Sequence, residues 1–543
     1  MRPQSLKGSL LESQEDVWTL PSSLYSNGRT RGSYHPMRFV LRLQPEVRRA
    51  LDPDNRHRYP MADRIQAFST YLHETIHWWQ HCGSTLGLTL SLLHPAQMHL
   101  NKSILNRVVQ HSGLFKSLRR YDEITGRGQS EDINVVLNNW HDIELFKNLV
   151  CDPRFAKRYV TDPYFNGVGH TFHLGISAVL WLLSATFDPQ LEAIPDPRQW
   201  EPELRRLRDA REQGFHHQSD IYLAPLGARA LFEAQARFSQ IQYLYTASGG
   251  QLTWDDFSNG GLLGGIYREA FDDFLKIIGA QWPHSPADPL VGLFLLVCDL
   301  AINPSDGFPC GIAYVPAMIV SIDPGMRFLM MCQWLAQRGR SLLGAIRQHS
   351  KEEYLEVSEA LCRAIVSESP AQIGATVRSW ARDHTAFRQV LTEEEIFRFS
   401  SGNVPVRIFF ARFLRLQLDK LEFPNFFCWP GVWMGDRSDG WRVESAGELF
   451  EHHGALFVDG PDGGVYPRVL AGKSATDVDQ TFQQFYAGVV AYELTRQWTV
   501  EDGPFDFDFR WLTSKFPRQD VEAWTSGIFE QSFGVRPEGV KVL

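Results

Sequence analysis

The stretch that most constrains this chain is Leu72 to Gly83, LHETIHWWQHCG. On a helix turning about 100° per residue, His73 and His77 lie within roughly 40° of each other. Ile65, Phe68, Leu72, Ile76 and Trp79 gather on a separate apolar stripe. Such a helix must pack into a core on one side and hold two imidazoles together on another. The pattern begins near Pro60, where proline suits the first turn, and ends at Gly83, which is expected to cap the helix.

Two imidazoles four residues apart, with about 6 Å between their Cβ atoms, can converge on one Zn²⁺ at about 2.0–2.1 Å each. Glu74 lies about a quarter turn from both. It is near the metal without being forced to bind it, the place for a base that deprotonates water whose pKa zinc has lowered to about 7. His73-Glu74-x-x-His77 is thus the H-E-x-x-H pattern of zinc hydrolases. It makes His73 and His77 candidate ligands, Glu74 the candidate catalytic residue and Zn²⁺ the expected cofactor. His81 stands one turn further on, but three histidines at i, i+4 and i+8 spread over about 12 Å, too far for one ion. Its expected place is behind a ligand or along a cleft, the alternative being an exposed helix end.

The composition fits a folded protein. With 543 residues, 43% of them hydrophobic and 22% charged, the chain can bury a large core in two or three domains. A net charge of −9 argues against a general phosphate-binding surface, so nucleic acid is not an expected partner. The seven cysteines are scattered, with no C-x-x-C pair, which suits a reduced, cytoplasmic compartment. Met1 to Trp18 has no apolar signal core, and the apolar runs Leu174 to Phe187 and Leu290 to Cys298 are short for a bilayer, so no membrane association is expected.

Further along, Met37 to Leu43 alternates like a strand, and Leu86 to about Arg211 is mostly helical, with breaks expected at Pro95, Gly113, Gly126, Gly128, Pro153, Pro163 and Pro189. Leu174 to Phe187 is apolar nearly all round and reads as a buried helix. Just before it, His170 and His173 are three apart; they suit either an active-site wall that stabilises a transition-state oxyanion or helix capping and core packing. In Ala224 to Tyr245, Glu233 shares a helical face with Ala230 and Ala234, which points a carboxylate at packed structure. A zinc held by two histidines needs one more protein ligand to leave an open catalytic position. Glu269, Asp273 and Asp299 are the other candidates, and an ion pair with Arg229 or Arg237 is the alternative role for Glu233.

The H-E-x-x-H helix followed by Leu231-Phe-Glu-Ala-x-Ala236 resembles the gluzincin branch of the zincin metallopeptidases, in which a glutamate on a later helix completes the site. The resemblance covers these two helices, with a longer gap between them than in compact gluzincins and with Phe232 where an asparagine is common. It implies His73, His77 and Glu233 as ligands and Glu74 as base. The metzincin pattern fails, because Gln80 and Gly83 stand where its glycine and third histidine belong.

The expected fold class is α+β and predominantly helical: a zincin-like catalytic core with a long helical insertion and a smaller C-terminal α+β unit. Residues 1–35 form an arm, 36–325 the zincin-like metallopeptidase domain with its insertion at about 86–211, 326–399 a helical region, and 400–543 the C-terminal unit. There the aromatic run Phe426 to Trp433 and a hairpin around Asp459 to Gly464 stand out. The expected function is a selective intracellular metallopeptidase acting on a protein or peptide, with the C-terminal unit free to dock a specific protein partner. The alternatives are a zincin-like scaffold with a structural or absent metal and a metal-dependent hydrolase of a non-peptide amide. The glycine pairs Gly249-Gly250, Gly260-Gly261 and Gly264-Gly265 are expected to form turns or to flank a lid.

Overall fold

The motif sequence forms helix α1, Met61–Gly83, with Pro60 at its N-cap as expected. In this computed structural model, which describes residues 31–543 apart from 112, 156–160, 162–163, 218, 220–222, 436–439, 469–471 and 514, α1 is a central element of a mostly helical protein. From Ser69 to Gly83 every residue but Tyr71 is buried, so the polar face of α1 is as enclosed as the apolar one. Gly83 is not a left-handed cap; it is the last helical residue, and Ser84 takes the extended C-cap. The reason for glycine there is close approach: a Cβ would meet Leu416 Cδ1 at 2.8 Å, on helix Val404–Glu422.

After the single extended residue Ser84 the chain enters α2, Thr85–His111. The break expected at Pro95 does not occur. Leu86, Leu88, Leu92, Leu93 and Ala96 are all buried against neighbouring helices, and that burial outweighs the hydrogen bond a helical proline forfeits. Helices α3, Glu131–Cys151, and α4, Val168–Phe187, pack on α2 and on each other. The apolar run at Leu174 is thus part of a 20-residue helix, long and apolar enough by length and composition to cross a membrane, longer than its sequence suggested. Within the protein, 72% of that stretch is buried in the core.

Helix α5, Ala228–Ala247, lies across α1 and is buried almost throughout its first four turns. Helices α6, Ile266–Ile278, and α7, Pro289–Ala301, pack on its other sides. Four helices between Pro324 and Ile396 match the helical region expected there.

Two short hairpins share one sheet. Strands β1, Gly32–His35, and β2, Val40–Leu43, are antiparallel; β3, Phe457–Asp459, and β4, Val465–Pro467, form the C-terminal hairpin; and β2 pairs with β3 in parallel at Leu41 and Val458. Asp459 fastens the junction, accepting from Leu43 N at 3.1 Å and pairing with Arg48 at 2.6 Å. Residues from either side of the expected boundaries at 325 and 400 therefore build a common sheet. The end of the expected N-terminal arm is strand β1, with Tyr34 buried; residues 1–30 lie outside the described residues. The run at Phe426 is mainly core: Phe426, Phe427 and Trp429 are buried.

Two largely buried histidines bear on how stability varies with pH. Burial lowers the imidazoles of His94 and His349 to about 4. The unfolded chain takes up these protons near pH 6.5, whereas the folded chain does not until near pH 4, so stability is lost as pH falls through this window. Each such group contributes a slope of up to about 1.4 kcal/mol per pH unit. Urea unfolding with chelator present should show the midpoint falling from pH 7 to pH 5, and His349→Gln should make that fall shallower; an unchanged slope in the variant would contradict the assignment.

Candidate metal centre

The crossing of α1 and α5 sets the site. His73 and His77 come from α1 and Glu233 from the second turn of α5. The Nε2 atoms of the two histidines are 3.1 Å apart, and Glu233 Oε2 is 3.3 Å from His77 Nε2 and 3.6 Å from His73 Nε2. Three donors tetrahedrally placed at about 2.0–2.1 Å from a zinc ion would be about 3.3 Å from one another. The three atoms thus have the spacing of one face of a zinc coordination tetrahedron.

Burial alone would raise the Glu233 carboxyl, but the imidazoles of His77 and His73 outweigh it and hold the group well below the ordinary carboxylate range. Of the other acids considered for this place, Glu269 pairs with Arg154 at 3.3 Å and Asp299 accepts from the Tyr354 hydroxyl at 2.9 Å; neither these two nor Asp273 belongs to the group. Arg229 lies 3.8 Å from Asp152 and feels the Glu233 charge, and Arg237 contacts Gln240 and the face of Tyr267.

Gln80 orients the ligands. Its Nε2 donates to the carbonyl of Phe232 at 3.0 Å and to Gln235 Oε1 at 2.8 Å, which leaves its Oε1 as an acceptor 2.8 Å from His77 Nδ1. His77 therefore carries its proton on Nδ1 and keeps the Nε2 lone pair for a metal. Because Phe232 precedes Glu233, the same amide also locks α5 against α1 beside the third ligand. The sequence signal was a glutamine three residues after His77, on the same helical face.

Glu74 is 2% exposed and faces strand β1. A Cβ on Gly32 would stand 2.7 Å from Glu74 Cγ and 2.9 Å from its Oε1, so only glycine lets the strand lie this close to the carboxylate. Tyr267, which sequence reasoning missed, places its ring 6.1 Å from that of His73. Tyr267 and Glu233 both line an open cleft of about 960 Å³, whose wall includes Gly264 and Gly265. The glycine pair is the entry to α6, with Gly265 as its N-cap at φ +52°.

The remaining histidines lie elsewhere. His81 is buried between the rings of Tyr34 and Phe232, at 5.3 and 5.2 Å, and burial lowers it to about 3. His170 pairs with Asp142 at 3.4 Å, and His173 packs edge-on to Trp200 at 6.3 Å. None of the three lines the cleft or joins the three-residue group. Among the described residues one other group has ligand atoms this close, Asp419, His452 and His453. The Arg412 guanidinium already lies against it, 3.5 Å from His453 Nδ1 and donating to the His452 carbonyl at 2.7 Å, and this charge opposes a second cation.

Replacing Gln80 with Leu should free the His77 ring and weaken zinc affinity by about 10–100-fold, read by competition with a calibrated chelator. Unchanged affinity would mean that the amide does not orient the ligand. Gly32→Val should lower any hydrolytic activity while leaving metal content intact, because the added side chain displaces Glu74; loss of metal instead would show that the strand supports the ligands.

No family model, curated protein or solved structure matches this chain, so its functional reading rests on the geometry of the α1–α5 crossing.

Proposed function

We propose that this chain is a zinc-dependent hydrolase, and specifically a zincin-like metallopeptidase of the gluzincin type. The observation that carries the reading is the mutual spacing of His73 Nε2, His77 Nε2 and Glu233 Oε2, one face of a tetrahedron, with Glu233 at the wall of an open cleft. Two neutral imidazoles and one carboxylate suit Zn²⁺ and leave it a fourth position, the donor set of a catalytic rather than a closed structural site. When bound, zinc supplies a water of lowered pKa and polarises a substrate carbonyl.

The chain's own groups do the rest. Glu74, next in sequence to a ligand and enclosed between α1 and β1, would take the proton from the attacking water and pass it to the leaving amine. Its enclosure keeps the carboxylate out of bulk solvent and limits its movement. Gln80 fixes the His77 tautomer and holds Glu233 in register. The cleft, about 960 Å³, has room for a peptide segment beside Glu233. Seven free thiols, six of them buried, support placing this activity in a reducing compartment.

Elemental analysis of untagged protein should give about one zinc per chain, with much less in Glu233→Ala and His77→Ala. Glu74→Gln should keep its zinc and lose peptide hydrolysis by about 10²–10⁴-fold. Dialysis against chelator should abolish activity and added zinc restore it. Full activity in Glu74→Gln would overturn the mechanism, and a parent protein that takes up no zinc would overturn the reading as a whole.

A further inference from the structure

A second cavity, of about 330 Å³, shares none of the described wall residues of the metal-site cleft. Its volume is in the range of small-molecule sites. Helix α3 builds one side: Leu137, Trp140, Glu144 and Lys147 recur every three or four residues and form one stripe, apolar at its start and charged at its end. His94 of α2, Val500 and Arg496 of helix Ala475–Val500, and Met37 from the turn between β1 and β2 belong to the same wall. The apolar end is the deeper one, with Leu137 and Trp140 each 3% exposed, whereas the side chains of Glu144 and Lys147 are 31% and 23% exposed.

The polar groups of this wall are not equally engaged. Arg496 lies 2.8 Å from Glu493 and 2.7 Å from Glu501, and Arg119 lies 3.3 Å from Asp502. Burial, helped by Lys147, lowers His94 to about 4, so it carries no charge at pH 7. Glu144 and Lys147 form a looser pair. Glu144 accepts from Gln97 on Oε1 at 3.4 Å, but its Oε2 stands 3.9 Å from Lys147 Nζ, too far for a hydrogen bond. Lys147 in turn donates only to the sulfur of Met37, at 3.8 Å, a weak acceptor. The carboxylate thus keeps an oxygen and the ammonium keeps donors that no described residue takes up.

We propose that this cavity binds a free amino acid with an apolar side chain. The ligand's ammonium goes to Glu144 Oε2, its carboxylate to Lys147 Nζ, and its side chain along Leu137 and Trp140 towards the buried end. A zwitterion supplies both missing hydrogen bonds at once and leaves each ion of the pair neutralised, which a ligand of a single charge does not. An anion alone would meet the Glu144 carboxylate, and a cation alone the Lys147 ammonium. The inference is independent of the metallopeptidase reading, because it uses none of the residues of the metal centre.

The experiment is calorimetric titration of the full-length protein with L-phenylalanine, with 3-phenylpropionate, which lacks the ammonium, and with 2-phenylethylamine, which lacks the carboxylate. Phenylalanine should bind about 10-fold or more tightly than either analogue, the effect of one hydrogen bond to a charged group. L-Aspartate, which has the same head group but a charged side chain, should bind more weakly than phenylalanine, since that side chain would be buried beside Leu137 and Trp140.

Lys147→Gln should lower phenylalanine to the affinity of phenylethylamine, and Glu144→Gln should lower it to that of phenylpropionate. Amino acids also chelate zinc, so His77→Ala, which removes a proposed ligand, should bind phenylalanine as the parent does. No binding of phenylalanine, equal affinity for phenylalanine and both analogues, or affinity unchanged in Lys147→Gln and Glu144→Gln overturns the proposal. Binding lost in His77→Ala with the fold intact also overturns it and moves the amino acid to the metal centre. If one variant does not fold, the analogue series on the parent and the remaining variants decide. Phenylalanine binding without hydrolysis of any peptide would keep this site and reject the peptidase, and hydrolysis without phenylalanine binding would reject this site alone.

Discussion

Everything at the candidate site depends on how α1 crosses α5. Helices without large side chains at their contact approach closely, and α5 supplies Ala230, Ala234 and Ala236, all buried. The contact is fixed by polar ties as well as by packing. Gln80 reaches the Phe232 carbonyl and Gln235, and about three turns back along α1 Ser69 accepts from Gln240 at 3.0 Å. Because each tie joins a named turn of α1 to a named turn of α5, sliding by one turn would leave several buried polar groups unpaired, at a cost of about 1–3 kcal/mol each. The position of Glu233 opposite the two histidines follows from that register.

The rest of the fold encloses this crossing. Strand β1 covers Glu74, helix Val404–Glu422 presses on the end of α1 at Gly83, and Trp79 donates to the His453 carbonyl at 2.8 Å, far along the chain. The sheet that holds β1 in place is completed by β3 and β4 from the C-terminal region. Burial of an ionised carboxylate and two imidazoles would be costly by itself. The three groups offset one another, and a divalent cation among them would offset the cost further, so an arrangement that looks wasteful in an empty core is reasonable around a metal.

Some of this was legible in the sequence, for definite physical reasons. His73, Glu74 and His77 are one helical turn apart, and local periodicity is enough to bring them together. Glu233 was legible more weakly, through small residues at helical spacing around an acid. Gln80 carried a local signal, three residues from His77 on the same helical face, but its partners on α5 did not show; Tyr267 carried none, since its approach to His73 depends on where α6 packs. Pro95 and Gly83 show the converse. Both were read by local rules, as a break and as a left-handed cap, and in both tertiary contact prevails: α2 continues because its apolar face is buried, and Gly83 is small because another helix needs the space.

His81 shows why the same residue type one turn further along has a different environment. From His77 to His81 the helix rises by about 6 Å, enough to carry the ring out of reach of the other two. The histidine then meets the rings of Tyr34 and Phe232, and burial, helped by His77, outweighs the pull of Glu233 and lowers it to about 3. His77 faces Glu233, whose carboxylate is itself kept ionised by that proximity. One turn of helix thus separates a ring that can serve a metal from a ring that fills a core, and the difference lies in what α5 offers opposite each: Glu233 to the first, Phe232 to the second.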